Sequence, residues 1–213
     1  MRRLDRSTAT TPTCLAGFAH ERNSWSDING AHKAEIRASL EQMQGRRCAY
    51  CEGDIDTLGQ HIEHFRRRSQ CPALTFEWDN LYWSCDQQDS CGHFKDHGAG
   101  LYNVVDIVDP CCDNPDAFFR FRADGTISIR TGLTEDQRRR ASETLRVLGL
   151  NPRWGRLRNM RKRVIAGYLT DVDEAITLGF GPDDLKEYFE EALTIAATLP
   201  FSTAVRHVLA EGA

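Results

Sequence analysis

Between Ala31 and Gln44 the apolar residues Ile36, Leu40 and Met43 recur at i, i+4 and i+7 among polar neighbours. That is the period of an α-helix with one buried face, and Gly45 is placed to end it. Residues 1–29 carry few apolar anchors and many Thr, Ser, Arg and Asn, so an irregular arm is expected there. Further on, residues 60–65 read as a short strand, Asn80–Ser84 as a second element, and Leu101–Val108 as a strand closed by Asp109-Pro110. Phe119, Phe121, Ile127 and Ile129 alternate around Asp124-Gly125, the signal of a hairpin. A three-residue loop Ala123-Asp124-Gly125 pairs Phe121 with Ile127 and Phe119 with Ile129, whereas a two-residue turn slips the register and separates them. The longer loop, with Gly125 left-handed, is therefore expected.

Beyond the hairpin the period becomes helical. Thr134 and Gln137 form a capping box ahead of the stripe Ala141, Leu145 and Leu148. Gly149 and Asn151-Pro152 stop that helix. Leu157, Met160, Val164 and Tyr168 predict another, Pro182-Asp183-Asp184 opens a third reaching about Leu199, and a short last helix is expected over 202–210. The expected fold class is α+β, divided into an arm and helix (1–44), a core with its hairpin (45–131) and a helical C-terminal region (132–213).

The 213 residues are 40% apolar and 27% charged, which is ordinary for a soluble domain. No apolar run approaches the ~18 residues of a membrane span. The basic start Met1-Arg2-Arg3 lacks the apolar stretch of a secretory signal, so a reducing cytoplasmic setting is expected. The net charge of −4 excludes a generic polyanion binder, but charge is unevenly spread. Arg66–Arg68 form one basic run and Arg153, Arg156, Arg158, Arg161, Lys162 and Arg163 another, while 171–191 holds eight acids against one Lys. The basic blocks suit a phosphate backbone; a solvated helix face is the plainer account of the second.

The chemistry concentrates between residues 48 and 95. Cys48-x2-Cys51 and Cys85-x5-Cys91 bracket the run His61-Ile62-Glu63-His64-Phe65. Two thiolate pairs some thirty residues apart suit tetrahedral Zn²⁺, although the second pair is widely spaced and Cys111-Cys112 is a rival for it. Cys14 and Cys71 stand alone and read as packing residues. Hydrolysis of a phosphodiester needs a base for water and a cation for the developing charge. His64 offers an imidazole that titrates near neutrality, and Glu63 and His93 offer metal ligands. Asn80 can orient the His64 ring or its loop. In a regular strand, however, Glu63 and His64 point to opposite faces, and His61 shares the face of Glu63, which makes His61 a competing ligand. Lys95 and Arg66 suit either a phosphate or an ordinary surface role. Trp78, Tyr82 and Trp83 read as core rather than as stacking platforms. His20, His32 and His207 receive no role.

Arg47-Cys48-Ala49-Tyr50-Cys51-Glu52, His61-Ile62-Glu63-His64-Phe65-Arg66, Trp78-Asp79-Asn80-Leu81 and Cys91-Gly92-His93-Phe94-Lys95-Asp96 together resemble the HNH nuclease motif. More narrowly they resemble the PtuB-type HNH proteins of Septu and retron-linked anti-phage systems. The resemblance covers about residues 45–97. It implies a zinc-stapled ββα-metal core, with zinc on Cys48, Cys51, Cys85 and Cys91. It further implies His64 as general base, Asn80 as the middle Asn, and Glu63 and His93 as ligands of Mg²⁺ or Mn²⁺. A nucleic-acid substrate (DNA, with RNA as the other choice), an ATPase partner of the PtuA type and a retron reverse transcriptase context follow from it too. Two positions depart from the motif. Glu63 stands where Asp or His is common, and Gly92 separates the last cysteine from His93. A zinc-stabilised module that binds without cutting is the competing function.

Overall fold

The computed structural model describes residues 1–152 and 155–212. Among these residues are seven α-helices and two small antiparallel sheets. The first sheet pairs β1 (Gln60–His64) with β2 (Leu81–Cys85), with Gln60 opposite Cys85 and His64 opposite Leu81. Helix α1 (Gly30–Gln44) packs on β2, and its buried face is Ile36, Leu40 and Met43. Ile36 and Leu40 are fully buried, each worth about 2 kcal/mol of apolar transfer. Gly45 ends α1 in the left-handed conformation, as its place in the sequence predicts. The adjoining Gln44 is buried yet satisfied: its amide donates to the carbonyls of Arg47 and Trp83 and accepts from the Trp83 N–H, each at 2.9 Å. This seals the end of α1 against β2.

A short α2 (Ile55–Leu58) leads into β1, and α3 (Cys91–His97) follows β2 and packs on it. The arm before α1 is irregular, built of three short 3-10 turns. It is nonetheless stitched down by buried Met1, Leu4, Leu15 and Ile28, and by Arg6, whose guanidinium lies over Trp78 and Tyr82. Those two rings and Trp83 are core, as expected.

The second sheet is the predicted hairpin, β3 (Phe119–Phe121) with β4 (Ile127–Ile129), Phe119 opposite Ile129 and Phe121 opposite Ile127. Gly125 has φ +80°, and a Cβ there would lie 2.3 Å from the Arg158 carbonyl oxygen, so both backbone and space require glycine. The strand expected over Leu101–Val108 does not form. Asn103 accepts from the Val105 N–H and starts a 3-10 turn over Val104–Asp106, while Ile107 and Val108 are buried beyond it.

Four helices complete the chain: α4 (Glu135–Val147), α5 (Arg156–Thr177), α6 (Pro182–Ala196) and α7 (Ser202–Gly212). The Thr134–Gln137 capping box is present. The expected residues of α5, Leu157, Met160, Val164 and Tyr168, all pack against the apolar clusters, and the buried positions include Arg161 and Ile165 besides. The second basic block is accordingly not a free cationic face. Arg156 pairs with Asp89 and Arg158 with Asp124, while Arg161 is buried with Nε on the Gly125 carbonyl. Arg153 lies outside the described residues. His207, given no role from the sequence, is buried; it accepts from the Phe121 N–H and pairs with Asp116. One apolar cluster runs from Met1 to Val208, and a smaller one joins α5, α6 and α7. No helix among the described residues is long and apolar enough to cross a membrane.

Candidate active site

The first knuckle is a tight loop in which Cys48 N–H donates to the Gly53 carbonyl and Glu52 N–H to the Cys48 carbonyl. Glu52 is left-handed there, at φ +64°. The Gly53 N–H points at Cys51 Sγ, 3.4 Å away, and a Cβ on Gly53 would strike Leu58. The second pair comes from the end of β2 and the start of α3. Cys91, at φ +60°, turns the chain into that helix.

Cys48, Cys51, Cys85 and Cys91 are buried and free of disulfides, with all four sulfurs within 4.8 Å of one another. Cys51 and Cys85 Sγ stand 3.9 Å apart, close to the ~3.8 Å edge of a tetrahedron with metal–sulfur bonds of about 2.3 Å. Burial opposes ionisation of Cys48, but hydrogen bonds from the other three thiols outweigh it and hold this thiol well below its usual value. Burial and the same neighbours push Cys91 up. The group can hold a metal such as zinc. Cys111 and Cys112 take no part in it.

Beside this cluster a cavity of about 170 Å³ opens between the end of β1, α3 and Trp25. Its lining includes His61, Glu63, His64, Arg68, His93, Asp96 and His97. The strand-geometry difficulty is resolved because β1 ends at His64, and Glu63 and His64 both reach this one cavity. His64 is 6% exposed and packs edge-on against Trp25, ring centroids 4.4 Å apart. Its Nε2 is 2.9 Å from the Thr75 carbonyl oxygen. A carbonyl only accepts, so Nε2 carries the hydrogen and Nδ1 of the neutral ring keeps its lone pair. Burial pushes the His64 pKa down to about 4, which keeps the ring neutral at pH 7.

The Asn80 side chain hydrogen-bonds the backbone of the Thr75 loop and not the His64 ring. It braces the loop that carries Thr75, with Oδ1 accepting from Arg66 N–H (2.8 Å) and Nδ2 donating to the carbonyls of Arg66 (3.1 Å) and Leu74 (3.0 Å).

Glu63 is 2% exposed and committed on both oxygens, to Lys95 Nζ at 2.8 Å and to His61 Nε2 at 3.2 Å. Burial opposes its ionisation, but the His61 hydrogen bond and the Lys95 ammonium outweigh that and lower its pKa. Lys95, which in sequence suited either a phosphate or a surface role, is wholly buried between Glu63, Asp96 and the His64 carbonyl, where its ammonium neutralises Glu63. Arg66 is exposed. His93 extends from the first turn of α3 to Asp86, Nε2 to Oδ1 2.5 Å. His61, Asp86 and His93 bring one ligand atom each to within 4.8 Å of the others.

Glycine at 92 is explained by this crowding. A Cβ there would sit 2.5 Å from Glu63 Oε2 and 2.7 Å from His61 Nε2. The departure from the motif is what lets α3 approach β1.

The chain is similar to "Retron Vc95 putative HNH endonuclease" of Vibrio cholerae serotype O1 biovar El Tor, 27% identical over 132 residues, 59% of this chain and 61% of that protein. It also matches "Septu protein PtuB" of Bacillus thuringiensis, 31% identical over 85 residues, 39% of this chain and 31% of the relative. A second protein of that name, from Bacillus mycoides (strain KBAB4), is 26% identical over 129 residues, 48% and 44% of the two lengths. These matches support an HNH-like, defence-linked family. No protein-family model matches the chain. The matched part spans between about a third and three fifths of the length of these relatives.

Sequence reasoning missed Asp86, His97, Trp25 and the Thr75 carbonyl as parts of the site, and had Arg68 only as part of a basic run. His97 was legible, since it lies four residues after His93 on one helix and so shares its face. Asp86 has no local signal beyond following Cys85; only the fold brings it to His61.

Proposed function

We propose that this chain is a metal-dependent HNH endonuclease that hydrolyses phosphodiester bonds of nucleic acid, with DNA as substrate. In this reading residues 45–131 form a zinc-stapled ββα-metal core, and the four buried cysteines hold the zinc. The observation that carries the proposal is the state of His64: neutral, with Nε2–H tied to a carbonyl and Nδ1 available in the same cavity as His61, Glu63 and His93.

His64 Nδ1 takes a proton from water, and the resulting hydroxide attacks phosphorus in line. Asn80 fixes the loop that holds the His64 tautomer. A divalent cation, Mg²⁺ or Mn²⁺, is held at His93 among the histidines and carboxylates of the cavity wall. When bound, it supplies charge stabilisation for the leaving oxygen. Exposed Arg66 and Arg68 lie on the loop beside the cavity and contact the phosphate backbone.

The names of the relatives support a defence setting, in which this chain is the effector of an anti-phage complex with a PtuA-type ATPase in a retron or Septu context. The helical region 132–213 is the docking part for that partner, and an ATPase partner gates a nuclease that would otherwise be toxic.

The deciding experiment is cleavage of plasmid DNA and of RNA by purified protein with Mg²⁺, Mn²⁺ or EDTA, alone and with the ATPase, beside His64→Ala. Metal-dependent cutting lost with His64 is expected. An intact, zinc-loaded protein that cuts neither substrate under any of these conditions is instead a binding module. The internal pairing of Arg156, Arg158 and Arg161 favours that second reading, because it removes a continuous basic track.

A further inference from the structure

The nitrogen and oxygen donors around His61 have a polarity that protein atoms alone leave unresolved. His61 Nε2 faces a carboxylate oxygen of Glu63 at 3.2 Å, so that nitrogen is the N–H donor. In the neutral ring, the form that binds metal, its Nδ1 then presents a lone pair. This buried atom has no hydrogen-bond partner among the described residues and lies 3.4 Å from Asp86 Oδ1, itself an acceptor. The His93 ring closes the third side, 4.5 Å from that of His61 between centroids, with Nε2 on the same Asp86 oxygen. Two imidazole nitrogens and a carboxylate oxygen thus converge on one point. The arrangement calls for a cation there.

Glu63 is differently placed. Both of its oxygens are committed, one to Lys95 and one to His61, and a Cβ on Gly92 could not pass it. A carboxylate behind a histidine, fixing its tautomer and raising its basicity, is the usual support of a metal-bound imidazole.

We propose that the divalent ion of this site is held by His61 Nδ1, Asp86 and His93, that Glu63 is a positioning residue for His61 and not a ligand, and that the site prefers a first-row transition ion such as Mn²⁺ or Co²⁺ to Mg²⁺. Two imidazoles with one carboxylate are borderline donors, whereas Mg²⁺ takes oxygen ligands and water. The inference rests on the nuclease reading only for the use of the ion; its ligands follow from the geometry.

The test is a binding titration. Protein with its cysteine site saturated with zinc is titrated with Mn²⁺, free ion followed by electron paramagnetic resonance, and with Co²⁺, followed by visible absorption. Far-UV circular dichroism and zinc content confirm that each variant is folded. One tight Mn²⁺ equivalent is expected in the parent, not displaced by a hundredfold excess of Mg²⁺. His61→Ala and Asp86→Asn should each weaken it at least a hundredfold. Asp86 is half exposed, so Asp86→Asn keeps the test alive should His61→Ala fail to fold. Glu63→Gln should weaken binding about 10- to 100-fold without abolishing it. The proposal is overturned if the zinc-loaded parent binds no Mn²⁺ or Co²⁺, if Mg²⁺ competes on equal terms, or if Asp86→Asn binds as the parent does. It is also overturned if Glu63→Gln abolishes binding that Asp86→Asn retains. Cleavage is a separate readout. Mn²⁺ bound through these three residues in a protein that never cuts would sink the nuclease reading alone, and Mg²⁺-driven cutting indifferent to Asp86→Asn would sink this donor set alone.

Discussion

The ring of His64 is locked to the Thr75 carbonyl oxygen at 2.9 Å, so the nitrogen left for chemistry is Nδ1. A base held this way works by position and by staying neutral. His64→Ala should lower cleavage by about 10²- to 10⁴-fold while zinc content and circular dichroism match the parent. With the His64 pKa pushed down to about 4, protonation of this base should not limit the rate until pH nears 4, provided metal ion is supplied at saturation at each pH. A rate that falls away near pH 6.5 even at saturating metal ion would mean that the ring is solvated and differently held.

The same burial links His64 to stability. Its folded pKa lies below the ordinary 6.5, so the unfolded chain takes the proton first. The stabilisation is complete above pH 6.5 and is lost as pH falls towards 4. Between pH 7 and pH 5 the parent should lose about 2 kcal/mol that His64→Gln does not lose. Urea unfolding of both proteins across that range measures the difference.

Gly92→Ala gives opposite signs for two effects. Alanine favours a helix over glycine by about 1 kcal/mol, but its Cβ would lie 2.5 Å from a Glu63 oxygen already tied to His61. Overpacking should win, with a net loss of about 1–3 kcal/mol and a lower melting temperature. A raised melting temperature would mean that Glu63 can withdraw.

Lys95 neutralises a carboxylate with almost no access to water. Lys95→Met should cost about 3–5 kcal/mol, because Glu63 is left charged and unpaired. Adding Glu63→Gln should recover part of that loss. A double-mutant cycle in urea reads the coupling directly, and simple additivity would deny the pair.

Asn80→Ala removes three hydrogen bonds from the loop that carries Thr75. A loss of about 2–3 kcal/mol is expected, with slower cleavage and an unchanged zinc content. Loss of stability with full activity would separate the loop from the catalytic base.

Much of this was legible because local rules and the fold agree. The cysteine spacing led to the four-sulfur cluster, and the one-residue logic of register predicted the loop at Gly125. Residues 101–108 misled because a run rich in apolar side chains was weighed without the Asn103 side chain, which closes a turn instead. Arg161 and Lys95 were read as surface cations. Nothing in a sequence tells that Gly125 and Glu63 will wait for them in the interior. Asp86 stayed hidden because its partners, residues 61 and 93, come from a different strand and from a helix.

Glu52, in the first knuckle, accepts from the Ser202 hydroxyl and from the Thr203 N–H and hydroxyl, and Arg47 donates to the carbonyls of Ala197 and Leu199. On the ribosome these contacts come late. The cysteines can gather once residue 91 has emerged, but Glu52 must then wait for about 110 further residues, roughly 6 to 22 s at ordinary rates of synthesis. For that interval the nascent chain carries a closed thiolate loop whose buried carboxylate has yet to meet its last helix. A translation pause or truncation after residue 131 would leave Glu52 without these partners, and chaperones should bind the chain there.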